Sequence, residues 1–124
     1  MSGHRFFTTP LNTSTSPARQ QVIDLLGDFC KEVVDVTGGK VTCDMLPGFA
    51  TGFGQEYRAT AHSVGKRIDH ILFRAYVPVD GLPLSLDFYD EDMTVCQTVR
   101  DVEGALAGFA TRDETRDTLR LLSQ

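Results

Sequence analysis

The sequence predicts an α+β fold in which a long N-terminal helix packs on an antiparallel β-meander of about four strands, followed by two short C-terminal helices. Three observations predict this class. Apolar residues recur at helical spacing over residues 17–36. Apolar and polar residues alternate through residues 57–88, and two helix-capping patterns follow residue 97. The chain has 124 residues, which corresponds to one domain that is long enough to bury a core.

Composition limits the domain plan and the class of partner. Residues 1–16 end in a run of Ser and Thr, so we expect a polar, partly flexible leader there and a single α+β domain over residues 17–124. The net charge of −5 disfavours nucleic acid, which requires a concentrated positive surface. No segment reaches the roughly 20 apolar residues of a membrane span, and no signal-peptide pattern begins the chain, so we expect no membrane partner.

The cysteines indicate the compartment. Cys30, Cys43 and Cys96 give an odd count with no CxxC pair, and each lies in an apolar run. This pattern suits neither a zinc site nor a disulfide framework. We therefore expect buried free thiols and a cytoplasmic location.

The predicted long helix has signals at both ends. Ser16 offers an N-cap oxygen, and Pro17 occupies the first helical position, where a missing amide hydrogen costs nothing. Gly38 and Gly39 follow the last turn, where a left-handed residue is favoured. The apolar stripe between these signals consists of Val22, Ile23, Leu26, Phe29, Cys30, Val33 and Val34.

A short strand over residues 41–46 and an irregular loop over residues 47–54 are predicted next. Apolar residues recur at every second position of the first segment, whereas the second contains three glycines and Pro47. Phe49 and Phe53 lie in this loop. Either they cap a ligand or a partner, or they pack against the edge of the core.

Two consecutive β-hairpins are predicted over residues 57–88. Gly65 suits the first central position of a type II′ turn, and the Asp80-Gly81 pair suits a type I′ turn. Each turn has two central residues, which fixes the register of the strands on both sides. A further strand over residues 93–97 completes the meander.

The predicted register places His62 opposite Asp69 in the first hairpin and Arg74 opposite Asp87, as an ion pair, in the second. Alternation then sorts the remaining side chains onto two faces. The core face would carry Ile71, Phe73, Ala75, Val77, Leu84, Leu86 and Phe88. The outer face would carry Tyr57, His70, Leu72, Arg74, Tyr76, Ser85, Asp87 and Tyr89.

Two short helices close the predicted fold. Thr98 with Asp101, and Thr111 with Glu114, have the spacing of a capping box. The second of these helices would extend to about Leu122.

The histidines offer two candidate chemistries. His62 beside Asp69 matches a histidine oriented by a carboxylate, but no nucleophile accompanies it, and an ordinary cross-strand ion pair accounts for it. A metal site formed by His62, His70, Cys43 and Asp69 would need convergent ligands, whereas the two histidines point to opposite faces of the sheet. We expect no catalytic residue, no metal and no cofactor.

Two charged segments have simpler explanations than a site. The acidic residues within 87–92 lack the pattern of a calcium loop and suit a solvated turn. Arg112, Arg116 and Arg120 form a stripe on the last helix, but acidic residues alternate with them and neutralise the face.

The outer face and the phenylalanine loop are the candidate binding surfaces. Tyrosine and arginine are enriched at the centres of protein interfaces. A sheet face that carries a leucine and several tyrosines is seldom left wholly to water. Three alternatives follow: a helix of the same chain covers it, a second copy or a foreign partner covers it, or it is simply exposed. The candidate binding residues are Tyr57, Leu72, Arg74, Tyr76, Asp87, Tyr89, Phe49 and Phe53.

These features favour a small acidic non-catalytic binding protein, such as an adaptor, an inhibitor or an immunity-type module, that contacts a protein partner or itself. The alternative is a small-molecule-binding domain or cofactor-free enzyme with a pocket between the long helix and the sheet. His70 and Arg74 discriminate between the two. A closed concavity around them favours the enzyme, whereas an open face favours binding.

Overall fold

A computed structural model of the protein describes residues 16–124. Along the chain it contains helix α1 (Pro17–Val36), strands β1 (Val41–Thr51), β2 (Gly54–Ser63), β3 (Ile68–Pro78), β4 (Leu84–Asp87) and β5 (Thr94–Cys96), and helices α2 (Val99–Ala110) and α3 (Asp113–Leu122). The strands form one antiparallel sheet in the order β1-β2-β3-β4-β5. The α+β class and the order of elements are confirmed. The leader predicted over residues 1–16 lies, apart from Ser16, outside the described residues.

Helix α1 begins and ends at the predicted signals. The Arg19 backbone N–H donates to Ser16 Oγ at 3.1 Å, which caps the first turn. Gly38 and Gly39 follow the helix with φ of 62° and 80°, in the left-handed region that favours glycine.

Strand β1 continues through the segment that the sequence predicts to be an irregular loop, so that prediction is wrong. A β-bulge between Pro47 and Ala50 takes up Gly48 and Phe49. The strand also lies at the edge of the sheet, where hydrogen bonds are needed on one side only and proline is tolerated. Strands β1 and β2 therefore form a further hairpin.

A second β-bulge, in β3, reverses the predicted faces of residues 70–72. Thr60 lies opposite Ile71, but the next pair is Ala59 with Phe73, so Leu72 is the extra residue. Leu72 is 4% exposed and belongs to the core, whereas Ile71 shares the opposite face with Thr60. The predictions of His70 and Leu72 on the outer face and of Ile71 on the core face are therefore wrong.

The same bulge moves Tyr57 to the core side. Tyr57 lies opposite Ala75 and packs against the core, so its predicted place on the outer face is wrong as well. The register of the second hairpin is as predicted, because Arg74 lies opposite Asp87.

The two turns differ in type from the prediction. Gly65 does not have a positive φ. Arg67 takes the left-handed position with φ of 56°, and its N–H donates to the Ser63 carbonyl at 2.9 Å. In the second turn Gly81 has φ of 91°, and its N–H donates to the Pro78 carbonyl at 2.8 Å. The strands beside both turns nevertheless keep the predicted pairing.

Helix α2 has the predicted cap and α3 does not. Thr98 and Asp101 form a capping box at the start of α2. Arg112 is the N-cap of α3, without a side-chain hydrogen bond, so the predicted box at Thr111 is wrong. The Thr111 hydroxyl instead donates to the Gly108 carbonyl at 2.9 Å, at the end of α2.

The core lies between one face of the sheet and the helices. Phe29 of α1 meets Phe73 of β3 edge-on at 5.2 Å, and Phe109 of α2 lies 5.6 Å from Phe73. Helix α3 lies beside α1, where Thr115 and Leu119 border one shallow cavity with Phe29. All three helices are therefore on the same side of the sheet. The three cysteines are buried and free, as predicted.

Candidate functional site

The outer face is the side of the sheet that points away from α1, α2 and α3. Two rows of side chains cross it. The first row consists of Leu46, Arg58, Arg74 and Asp87, on β1 to β4. The second row consists of Glu56, Tyr76, Ser85 and Val95, on β2 to β5. Within residues 16–124 no helix packs on this side.

Glu56 is the buried charge of the outer face. It is 6% exposed, and its Oε1 accepts a hydrogen bond from Arg58 Nε at 2.7 Å. Gly48 permits this burial, because a Cβ there would clash with the carboxylate and would lie 3.0 Å from Arg58 Nε. The hydrogen bond from Arg58 lowers the pKa of Glu56, and Arg74 and Tyr76 act in the same direction. The carboxylate is therefore held in its ionised form.

Arg74 lies between two tyrosines at the centre of the first row. The neighbouring Tyr89, and to a smaller extent Tyr76, raise the pKa of its guanidinium. Its Nε is shielded from solvent and has no hydrogen-bond partner among residues 16–124. Arg74 therefore carries a fixed positive charge and one unsatisfied donor.

Arg74 and Asp87 are cross-strand neighbours, but the predicted ion pair between them is absent from the described residues. Asp87 Oδ1 instead accepts from the Tyr89 backbone N–H at 2.9 Å, which turns the carboxylate towards its own chain. Both charges therefore remain available for a group from outside.

A cleft of about 260 Å³ adjoins the second row at the hairpin tip of β1 and β2. Its lining includes Phe49, Phe53, Gly54, Glu56, Tyr76, Pro78, Pro83 and Ser85. Phe49 is 70% exposed and Phe53 is 88% exposed. Of the two alternatives for these phenylalanines, packing against the core does not occur.

The structure brings together most of the predicted binding residues. Arg74, Tyr76 and Asp87 lie on the outer face, with Tyr89 beside Arg74, and Phe49 and Phe53 border the adjoining cleft. Tyr57 and Leu72 lie on the core side and do not contribute to this surface.

Sequence reasoning missed four residues of the two rows on the outer face, which are Glu56, Arg58, Leu46 and Val95. For Glu56 and Arg58, the available signal was that the small apolar residues Ala59 and Ala61 alternate with polar residues along this strand. These small side chains face the helices, so Glu56 and Arg58 must point outward. Val95 belongs to a strand of three residues, which is too short to show a pattern.

The other charged groups form the structural contacts that the sequence indicates. His62 Nδ1 pairs with Asp69 Oδ1 near the first turn, and His70 is exposed on the opposite face, across from Ala61. No group of three or more His, Cys, Asp or Glu that could hold a metal ion occurs in residues 16–124.

Two of the three arginines in the stripe at α3 are engaged with acids. Arg112 forms two hydrogen bonds with Asp90, at 2.9 and 2.8 Å, which lower the pKa of that carboxyl. Arg120 pairs with Asp117 at 3.2 Å. This surface is therefore largely self-neutralised.

The fold and the outer face define a small α+β protein in which, over residues 16–124, helices cover one side of the sheet and leave the other side open. Comparison with protein-family models, curated proteins and solved structures found no match for the chain. Within the described part of the chain, no helix is both long enough and apolar enough to cross a membrane.

Proposed function

We propose that this protein is a small acidic non-catalytic binding protein that acts by contact between the outer face of its sheet and a protein partner. One observation carries the proposal. The described helices leave this face open, although it presents an arginine and a tyrosine side by side, Arg74 and Tyr76. These residue types dominate the energetics of protein interfaces because they bury a large area and also donate hydrogen bonds.

The charge states on the outer face also support recognition rather than proton transfer. The pKa of Glu56 is lowered by Arg58, and that of Arg74 is raised by Tyr89. Both groups therefore keep their charges near neutral pH, whereas a general acid or base is most effective with a pKa near the working pH. His70, the other discriminating residue, is exposed and lies on the other face of the sheet.

We also propose that the protein acts in the cytoplasm. The support is that Cys30, Cys43 and Cys96 are buried, free thiols. Unpaired thiols are typical of proteins that function in a reducing compartment.

A small molecule in the cleft is the second candidate function. Phe49, Phe53 and Tyr76 offer aromatic walls, and Glu56 offers a fixed negative charge. The volume of about 260 Å³ lies just below the range of roughly 300–1,000 Å³ that is typical of ligand pockets. The space between α1 and the sheet, where the sequence-based alternative places a pocket, is occupied by the edge-on pair of Phe29 and Phe73.

Affinity capture with matched variants tests the proposed function. A tagged wild-type chain, an Arg74→Ala/Tyr76→Ala variant and an Arg116→Ala/Leu121→Ala control on exposed positions of α3 are each incubated with lysate of the source cells, and retained proteins are quantified. We expect a protein, the untagged chain included, to be retained by wild type and control and reduced at least tenfold by the outer-face variant.

Equal retention by all three chains would contradict the proposal. Native mass spectrometry of the same samples tests the second candidate. A bound small molecule that is lost in a Tyr76→Ala variant, with no retained protein, would favour the cleft.

A further inference from the structure

The edges of the sheet are poor surfaces for pairing with another chain. The exposed edge of β1 is interrupted at Pro47, which has no N–H to donate, and by the adjacent bulge. The opposite edge, β5, has three residues, Thr94–Cys96. The addition of a strand from another chain to either edge of the sheet is therefore disfavoured. The outer face is a larger contact surface than either edge.

The outer face has self-complementary charges at its centre. Arg74 is positive and Asp87 is negative, they are cross-strand neighbours, and they do not form an ion pair with each other. Glu56 and Arg58 neutralise each other beside them. Asp44 on the edge strand β1 adds a further exposed acid to this face. Among the described residues, the centre of strands β2 to β5 therefore carries one unpaired charge of each sign, which is the arrangement that a second, identical face would satisfy.

We propose that the occupant of the outer face is a second copy of this chain, packed face to face about a two-fold axis that runs parallel to the strands between β3 and β4. This inference rests on the proposed function and names its partner. The rotation places Arg74 of each copy over Asp87 of the other, so the interface contains two equivalent ion pairs. Aligned packing of two sheets is a common arrangement.

The same axis also brings side chains of the second row in one copy over side chains of the second row in the other copy. Tyr76 of each copy lies over the small side chain of Ser85 in the other, and β2 lies over β5. Val95 on β5 is 55% exposed, and the rotation lays it over Glu56 of the other copy, beside Phe49 at the rim of the opposite cleft. The dimer thus covers exposed apolar groups at its margins.

The area of the face sets the strength of this dimer. The lengths of β4 and β5, four and three residues or roughly 14 and 10 Å, limit the overlap, so four strands spaced about 4.8 Å apart share a flat area of roughly 230 Å² per copy. Standard stable interfaces bury about 800 Å² per partner. We therefore expect a weak dimer, with a dissociation constant in the micromolar range.

A charge-exchange experiment tests the proposal, with the mass of the purified chain measured by light scattering from about 5 to 500 µM. Wild type is expected to dimerise, and Arg74→Glu and Asp87→Arg are each expected to weaken dimerisation at least tenfold, because both place like charges together. An equimolar mixture of these two variants is expected to recover the dimer, since each variant supplies the charge that the other lacks. Arg100→Glu, an exposed residue of α2, is the matched control and is expected to dimerise like wild type.

Circular dichroism checks that each variant is folded. Asp87→Asn keeps the oxygen that accepts from Tyr89 and replaces Asp87→Arg if that chain does not fold. It is then expected to weaken the dimer at least threefold. A wild-type chain that stays monomeric at 500 µM, or a dimer that Arg74→Glu leaves intact, would overturn the second-copy interface. If, in the capture experiment, wild type retains a foreign protein and the Arg74→Ala/Tyr76→Ala variant does not, the proposed function stands without the second-copy interface.

Discussion

Phe88 and Phe109 stack with ring centroids 4.6 Å apart and ring planes 13° apart. The guanidinium of Arg112 lies 5.3 and 5.5 Å from the centroids of these two rings, and the same group binds Asp90. The stack joins the residue that follows β4 to helix α2, and Arg112 covers it from the start of α3. Cation–π contact and the ion pair thus fasten the helices to the far end of the sheet.

Removal of Phe109 is expected to destabilise the fold strongly. This side chain is buried and contacts Phe29, Phe73 and Phe88, so Phe109→Ala leaves a cavity at the centre of the aromatic cluster. We expect the free energy of unfolding in urea to fall by about 3–5 kcal/mol. Phe53→Ala is the control, because exposed substitutions usually stay within about 0.5 kcal/mol. Equal losses in the two variants would contradict the packing described.

Two glycine substitutions are expected to act in opposite directions. Gly81 has φ of 91°, and a Cβ there would lie 2.6 Å from the backbone nitrogen of Arg19, so Gly81→Ala combines backbone strain with a steric clash. The strain alone corresponds to about 1–3 kcal/mol. Gly104 lies inside α2 with open space around it, and Gly104→Ala is expected to stabilise the protein by about 0.5–1 kcal/mol. Thermal unfolding of both variants checks the signs, and stabilisation by Gly81→Ala would refute the close approach.

The ion pair between Glu56 and Arg58 on the outer face is expected to make the stability of the fold depend on pH. Folding lowers the pKa of Glu56 below its ordinary value of 4.5. A carboxyl with a lowered folded-state pKa contributes stability that is present above its unfolded pKa and is lost as pH falls through the folded value. The difference in unfolding free energy between wild type and Glu56→Gln should therefore be largest above about pH 5 and shrink as the pH falls below that.

Arg58→Gln supplies the second arm of this pH test. This substitution removes the hydrogen bond that contributes most to the lowered pKa of Glu56. The burial of Glu56 remains, and burial raises the pKa. Carbon-13 NMR titration of Glu56 is expected to give a higher pKa in Arg58→Gln than in wild type. An unchanged titration would show that Arg58 does not control this carboxyl.

The parts of the fold that the sequence predicts well are those governed by local chemistry. Ser16 and Pro17 mark the start of α1, and Gly38 marks its end, because caps and left-handed residues act over a few neighbouring positions. The pairing of His62 with Asp69 is predictable for the same reason, since it lies close to its turn. The extension of β1 through Pro47 is not predictable in this way, because it depends on an edge position that tertiary structure assigns.

The outer face is predictable only in part because of the bulge at Leu72. Ile71, Leu72 and Phe73 are three consecutive apolar residues, so the alternation gives no sign of where one residue is inserted. One inserted residue shifts every pair beyond it in β2 and β3. Tyr57 accordingly exchanges faces, whereas Arg74 and Tyr76, which are fixed by the second hairpin, stay where the sequence places them.

The bulge itself gives the last prediction. Leu72 is buried in the core and Ile71 is half-buried on the outer face, so Leu72→Ala is expected to lower the free energy of unfolding by about 2–5 kcal/mol and Ile71→Ala by about 1 kcal/mol. A regular strand without the bulge would reverse this order, because Ile71 would then face the core. Urea unfolding of the two variants, measured side by side with equal slopes, therefore reports the register directly. A larger loss for Ile71→Ala would restore Leu72 and Tyr57 to the outer face and enlarge the binding surface by both side chains.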